Sequence, residues 1–264
     1  MSEKNHPTHQ TTEVLNPDSE YPVLMFCEHA GNRLPPEVAP YLGMDNDFLD
    51  SYHGYDIGIP HIARRVAHNL NATCVLGVYS RLLIDLNRKL DAPDLLHDHD
   101  DYIDIPGNQN LSKEDLQYRI DNYWQPYHDI CEYHIQRLMK LYKKPVVFSF
   151  HSFPRHQTSY DKPFPWNFTI HYHEDFGVAE VFRQFFKNNY PDVHLGDNEP
   201  YNLKEYPYIG TTLHGEEHGL PNLLIEIPND QMLVPEDIEH WTKICTEVLG
   251  ELPAALGADQ KKAA

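Results

Sequence analysis

Four short stretches of the chain are apolar at nearly every position: residues 21–27 (YPVLMFC), 73–78 (TCVLGV), 145–150 (PVVFSF) and 223–227 (LLIEI). A strand with one wet face alternates apolar and polar side chains, so runs of this kind belong to strands buried on both faces. Between them the apolar spacing changes to the helical one. Ile59, Ile62, Ala63, Val66, Ala67 and Leu70 share one stripe, and Leu116, Ile120, Tyr123, Tyr127, Ile130, His134, Leu138 and Leu141 share another. Residues 178–190 (VAEVFRQFFKNNY) and 235–252 add two more helical segments. Doubly buried strands alternating with helices call for a three-layer α/β/α domain with a mixed, mostly parallel sheet.

The remaining segments fill in this frame. Residues 80–88 (SRLLIDLNR), apolar in the middle and charged at both ends, read as a further strand, and 89–110 as a long polar loop. Ser112-Lys113-Glu114-Asp115 resembles a capping box opening the long helix, which Pro126 is expected to kink. Asp56 stands where the N-cap of the 59–70 helix belongs. Residues 167–173 (NFTIHYH) alternate as a strand would, and 192–195 form a short extended piece.

A chain of 264 residues can bury a large single core. The expected division is a disordered or extended N-terminal segment at 1–20, one catalytic domain at 21–256 and a frayed tail at 257–264. Forty acidic against twenty-one basic residues give a net charge of -19, the wrong sign for neutralising phosphates, so nucleic acid is excluded as the expected partner. An anionic small molecule would need its own local arginines. Cys27, Cys74, Cys131 and Cys245 are widely spaced with no CxxC pair and read as buried thiols of a reducing compartment. The polar start lacks the features of a signal peptide and no apolar run reaches transmembrane length. A cytoplasmic protein without a membrane partner is the expectation; the sequence is silent on oligomeric state.

Within the fourth apolar run sits Glu226. An ionised carboxylate there is costly unless something positive or hydrogen-bonding meets it, which suits either a general base or a structural ion pair with an arginine. His29 and His151 follow two of the other apolar runs, at the strand ends where ligands gather in α/β sheets. Two histidines and a carboxylate can hold a divalent metal with one position left open, the carboxylate being Glu28, Asp50, Asp56 or Asp85. Arg81 and Arg88 are either a salt-bridged frame around Asp85 or clamps for a substrate carboxylate. His97-Asp98-His99 and His171-Tyr172-His173 also have the look of metal pairs. The first, however, lies in an acidic loop, and alternation puts the second pair on one polar strand face. No GxSxG elbow and no glycine-rich phosphate loop occurs, which weighs against nucleophilic-serine and nucleotide-driven chemistry.

Seven segments in order resemble the N-formylglutamate amidohydrolase family: Phe26 to Pro35 (FCEHAGNRLP), Tyr55-Asp56-Ile57-Gly58, Ser80 to Arg88, His151-Ser152-Phe153, Asp197 to Tyr201 (DNEPY), His214-Gly215 and Ile225-Glu226-Ile227. The resemblance implies a fold similar to zinc carboxypeptidases. It also implies hydrolysis of the formyl amide of N-formyl-L-glutamate to formate and glutamate, as at the end of one histidine-degradation route. It further implies a divalent metal, zinc by expectation, on His29 and His151 with Glu28 or Asp56 completing the set, and Glu226 as the catalytic residue. Arg81, Arg88, Asn32, Asn198 and His214 are the implied substrate-binding residues. Another N-acyl amino acid or a small carboxypeptide is the alternative substrate, and a non-catalytic metal- or ligand-binding relative the alternative role.

Overall fold

The computed structural model describes residues 11–262 apart from 101–102, 157–160, 175–176 and 207–208. A seven-stranded sheet is its spine. In chain order the strands are β1 (Thr12–Leu15), β2 (Val23–Cys27), β3 (Thr73–Gly77), β4 (Val146–Phe153), β5 (Phe168–His171), β6 (Leu195–Asp197) and β7 (Asn222–Pro228). Across the sheet they run β1-β3-β2-β4-β7-β5-β6. The pairs β1/β3 and β5/β7 are antiparallel and the rest are parallel. The fold is thus α/β with a mixed, mostly parallel sheet. The four apolar runs became β2, β3, β4 and β7, the interior of the sheet apart from β5 at its edge side.

One face carries the larger core. Met25, Cys27, Cys74, Phe148, Phe150, Ile225 and Ile227 pack there against α1 (Ile59–Leu70), α3 (Val178–Asn189) and α4 (Pro235–Leu256). Phe148 lies 5.8 Å from Phe182 in a stacked pair; burying one such ring contributes roughly 1.5–3 kcal/mol. On the other face Leu24, Phe26, Val75 and Val147 meet Tyr127, Cys131, Ile135 and Leu138 of α2 (Gln125–Leu141). Toward the carboxyl ends of the strands this second face turns polar, with Glu28, Ser149, His151, Thr169, His171 and Glu226. Loops and the short helix Gly210–His214 cover it there.

Several segments differ from the sequence reading. Residues 80–88 form turns, because side chains there bind the local backbone: Ser80 Oγ and Asp85 Oδ1 accept from the amides of Leu82 and Asn87, and the Arg88 amide donates to the Asp85 carbonyl. Leu82 enters a small core with Leu42, Leu49 and Ile105, whereas Leu83 and Ile84 join the α2 face. The long loop after them is pinned from outside. Arg119, buried, donates to the carbonyls of Leu83 and Gly107 and to Asn108 Oδ1, and Asn108 in turn donates to the carbonyls of Leu82 and His97. Within the loop, His99–Asp100 and Ile103–Asp104 pair as a minute hairpin.

Ser112 caps the helix Lys113–Arg119 by accepting from the Asp115 amide. The break expected at Pro126 is a widened turn at Ile120–Trp124, and Pro126 stands in the first turn of α2, where its missing N–H costs nothing. Gly58, at φ 83°, is the N-cap of α1, which frees the Asp56 carboxylate for other partners. The N-terminal segment contributes β1 from 12 onward, and residues 1–10 lie outside the described residues. The tail expected to fray folds back: Ala258 is buried, the Lys262 amide donates to the Leu141 carbonyl, and Lys261 pairs with Glu20 at 2.7 Å. Among the described residues no helix is long and apolar enough to cross a membrane.

Candidate active site

At the polar end of the second face, a cavity of about 880 Å³ is lined by His29, Asp56, Arg81, Arg88, His151 and Glu226, together with His171, Tyr201, Tyr206 and others. His29 leaves the end of β2 in a turn that only glycine permits at position 31: a Cβ there would lie 2.2 Å from the Val78 carbonyl oxygen. The Asp56 amide donates to the His29 carbonyl, fixing the two segments together. His151 was expected just past a strand; β4 continues through Phe153, so His151 projects from the sheet face, in register with Glu226 of β7.

Donor atoms of His29, Asp56 and His151 lie within 4.8 Å of one another, and all three residues are buried. The histidine rings are 4.8 Å apart, edge to face. Each ring is held from behind by a different carboxylate. The Nε2 of His29 donates to Asp85 Oδ1 at 2.7 Å, leaving a buried Nδ1 with no hydrogen-bond partner, 3.5 Å from Asp56 Oδ1. The Nε2 of His151 donates to Glu28 Oε2 at 3.1 Å and its Nδ1 to Asp56 Oδ2 at 2.7 Å. Two Nδ1 atoms and a carboxylate thus converge, while Asp85 and Glu28 fix the ring orientations as outer partners of ligand histidines do. These residues fit a divalent cation, and the unpartnered His29 Nδ1 is the clearest sign of it.

The buried rings and carboxylates stabilise one another's charged forms. Burial works against a charged ring at His151, but Asp56 and then Glu28 raise its pKa to about 10. Burial alone would raise Asp56 and Asp85. His29 and His151 nevertheless hold Asp56 well below the carboxylate range, and His29, Arg88 and Arg81 do the same for Asp85. Glu28, despite its burial, is lowered by His151 and Ser149.

Glu226 borders the cavity with its side chain 15% exposed; its Oε2 is buried and 3.4 Å from His171 Nε2. Arg81 faces the cavity between Asp85 and Asp56, at 3.4 and 3.8 Å. Arg88 is bonded through Nε to Asp94 at 2.7 Å and lies over the Tyr206 ring, whose hydroxyl donates to Asp94. Arg81 thus pairs with Asp85 as the frame required, whereas Arg88 pairs with Asp94, and both line the cavity.

Other expected residues are placed elsewhere. Glu28 and Asp85 stand behind the histidines, outside the converging donor set. Asn32 donates to Asp50 at the exposed rim and lines no part of the cavity, which removes Asp50 from the metal position as well. Asn198, at φ 53°, exchanges hydrogen bonds with the backbone of Tyr172. His214 is buried beneath Phe26, bonded to His128 at 2.7 Å; burial lowers its pKa to about 4, and that of His128 goes well down too. Neither Asn198 nor His214 is part of the cavity lining. Of the two side pairs, His97 binds Asp85 at 2.9 Å and His171 faces Glu226, while His99 pairs with Asp98 and His173 with Glu216. Their sequence signal was the HxH spacing, which pointed to metal.

Comparison with known proteins bears on this geometry. No curated protein matches the chain. The gene product Atu2144 from Agrobacterium tumefaciens has a similar structure at 26% identity and a TM-score of 0.83, the match covering 94% of this chain and 97% of that one. An N-formylglutamate amidohydrolase from Ralstonia eutropha JMP134 aligns at 18% identity and a TM-score of 0.70, over 94% and 98% of the two chains, a likeness of fold. The family model for N-formylglutamate amidohydrolase matches residues 21–233, a span that holds every residue of the site described above. The chain therefore belongs to the N-formylglutamate amidohydrolase family, hydrolases that act on a linear amide carbon–nitrogen bond.

Proposed function

We propose that the protein is a metal-dependent amidohydrolase that cleaves the formyl amide of N-formyl-L-glutamate to formate and glutamate. The observation that carries this reading is the convergence of His29, Asp56 and His151 donors within 4.8 Å in the wall of a cavity that Glu226 also lines. Two imidazoles and a carboxylate suit zinc. Bound there, the ion would polarise the scissile carbonyl and acidify an attacking water. Glu226 takes the proton of that water and passes it to the departing amine nitrogen. Arg81 and Arg88 fix the substrate carboxylates, and the Asp85 and Glu28 carboxylates keep the two rings aimed. Four free, buried cysteines suit the reducing cytoplasm, and the products suit the end of a histidine-degradation route.

A second reading keeps the chemistry and changes the substrate. The cavity, at about 880 Å³, is in the upper part of the range that drug-sized ligands occupy, which favours a larger N-acyl amino acid or a small carboxypeptide. One experiment separates the readings. Protein purified without chelator is analysed for metal and assayed for hydrolysis of N-formyl, N-acetyl and N-succinyl amino acids. The expected result is one equivalent of zinc and fastest formate release from N-formyl-L-glutamate. Faster cleavage of a bulkier member supports the second reading. Retained metal with no hydrolysis of any member overturns both in favour of a binding protein.

A further inference from the structure

The sheet register sets His151, Glu226 and Thr169 abreast on one face, and His171 emerges two residues beyond Thr169 on β5. His171 is buried, and each of its ring nitrogens is engaged. Its Nδ1 lies 3.0 Å from the Tyr201 carbonyl, which can only accept, so that nitrogen carries a hydrogen. Its Nε2 lies 2.8 Å from Oγ of Thr169, whose own hydrogen goes to the Glu226 carbonyl, and 3.4 Å from Glu226 Oε2, so acceptors face both ring nitrogens and both donate. That oxygen is buried and has no hydrogen-bond partner, so the ring edge is the polar group that meets it. Burying half a carboxylate against nothing polar would be costly.

We propose that His171 is a positioning residue for Glu226: anchored through Nδ1 to the Tyr201 carbonyl, it holds the buried carboxylate oxygen through Nε2 and so keeps the other oxygen turned to the cavity. Tyr201 and Pro200 are themselves part of the cavity wall. The base is therefore tied to the backbone of the loop that encloses the substrate. An imidazole serves because it can link a backbone acceptor on one side to a carboxylate on the other, which neither a lysine nor an apolar side chain does. The assignment rests on Glu226 acting as the base.

The test compares His171→Phe and His171→Gln with the wild type, using N-formyl-L-glutamate or whichever N-acyl amino acid the wild type hydrolyses fastest. Phe fills the space and offers no donor; the Gln amide offers one to Oε2. His171→Phe is expected to lower kcat by about tenfold or more, the cost of leaving a buried carboxylate oxygen with no polar group against it. KM should stay within about twofold and metal content be unchanged, and His171→Gln should restore most of the rate. A Phe variant that keeps its kcat, or a Gln variant as impaired as the Phe one, overturns the proposal. A wild type that hydrolyses nothing sinks the functional reading instead. In that case crystal structures of wild type and His171→Phe decide the point: the carboxylate of Glu226 should turn away from its place in the variant, and an unmoved carboxylate removes His171 from the assignment.

Discussion

The Nε2 of His29 lies 2.7 Å from Oδ1 of Asp85, a carboxylate with no exposed surface that also receives His97, Arg81 and the Asn87 amide. That contact fixes which nitrogen of His29 carries hydrogen and turns the other toward Asp56. On the proposed metal assignment, Asp85→Asn should therefore leave the fold in place and weaken zinc binding by about 10- to 100-fold, the usual effect of removing an outer partner of a ligand histidine. Competition with a chromogenic chelator measures it. An unchanged affinity would mean that Asp85 only braces the loop.

Glu226→Gln keeps the size of the side chain and removes its ability to take a proton. Turnover should drop on the order of 100-fold or more, while metal stoichiometry by elemental analysis stays at the wild-type value. Activity retained in this variant excludes Glu226 as the base.

Arg81 is the less committed of the two cavity arginines, with neighbours at 3.4 and 3.8 Å, whereas Arg88 already spends its Nε on Asp94. Arg81→Lys keeps the charge and loses the planar fork. KM should rise by about tenfold with kcat little altered, if the fork grips a carboxylate equally in ground and transition states. Initial-rate kinetics on the preferred substrate provide the readout.

The sheet was legible because burial on both faces leaves an uninterrupted apolar run, and the site because polar residues at strand ends have few structural reasons to be there. His29, His151 and Glu226 line one cavity for that reason. What could not be read was any choice made by a distant partner. The apolar centre of 80–88 suggested a strand, yet Ser80 and Asp85 capture the local amides first. Asn198 and His214 were expected at the substrate, yet Tyr172 and His128, far off in sequence, engage them away from the cavity lining. His171 pairs with a backbone carbonyl thirty residues away, which spacing within β5 does not disclose.

The buried pair His128 and His214 makes acid stability a test of the fold. Burial lowers the pKa of His214 from 6.5 to about 4, and His128 is lowered too. The sign follows from proton counting: between those values the unfolded chain binds the proton and the folded one does not, so stability is full above about pH 6.5 and is lost as pH falls toward 4. For His214 alone the loss from pH 7 to pH 5 is roughly 2 kcal/mol. Urea unfolding at the two pH values should show at least that decline in the wild type. The double variant His128→Phe, His214→Phe should show a shallower decline, whatever its absolute stability, because the rings that the acid-unfolded state protonates are gone. An equal decline in both proteins would exclude this pair as its source; the carboxylates around His29 and His151, held below their ordinary range, keep their contribution down to pH values under 5.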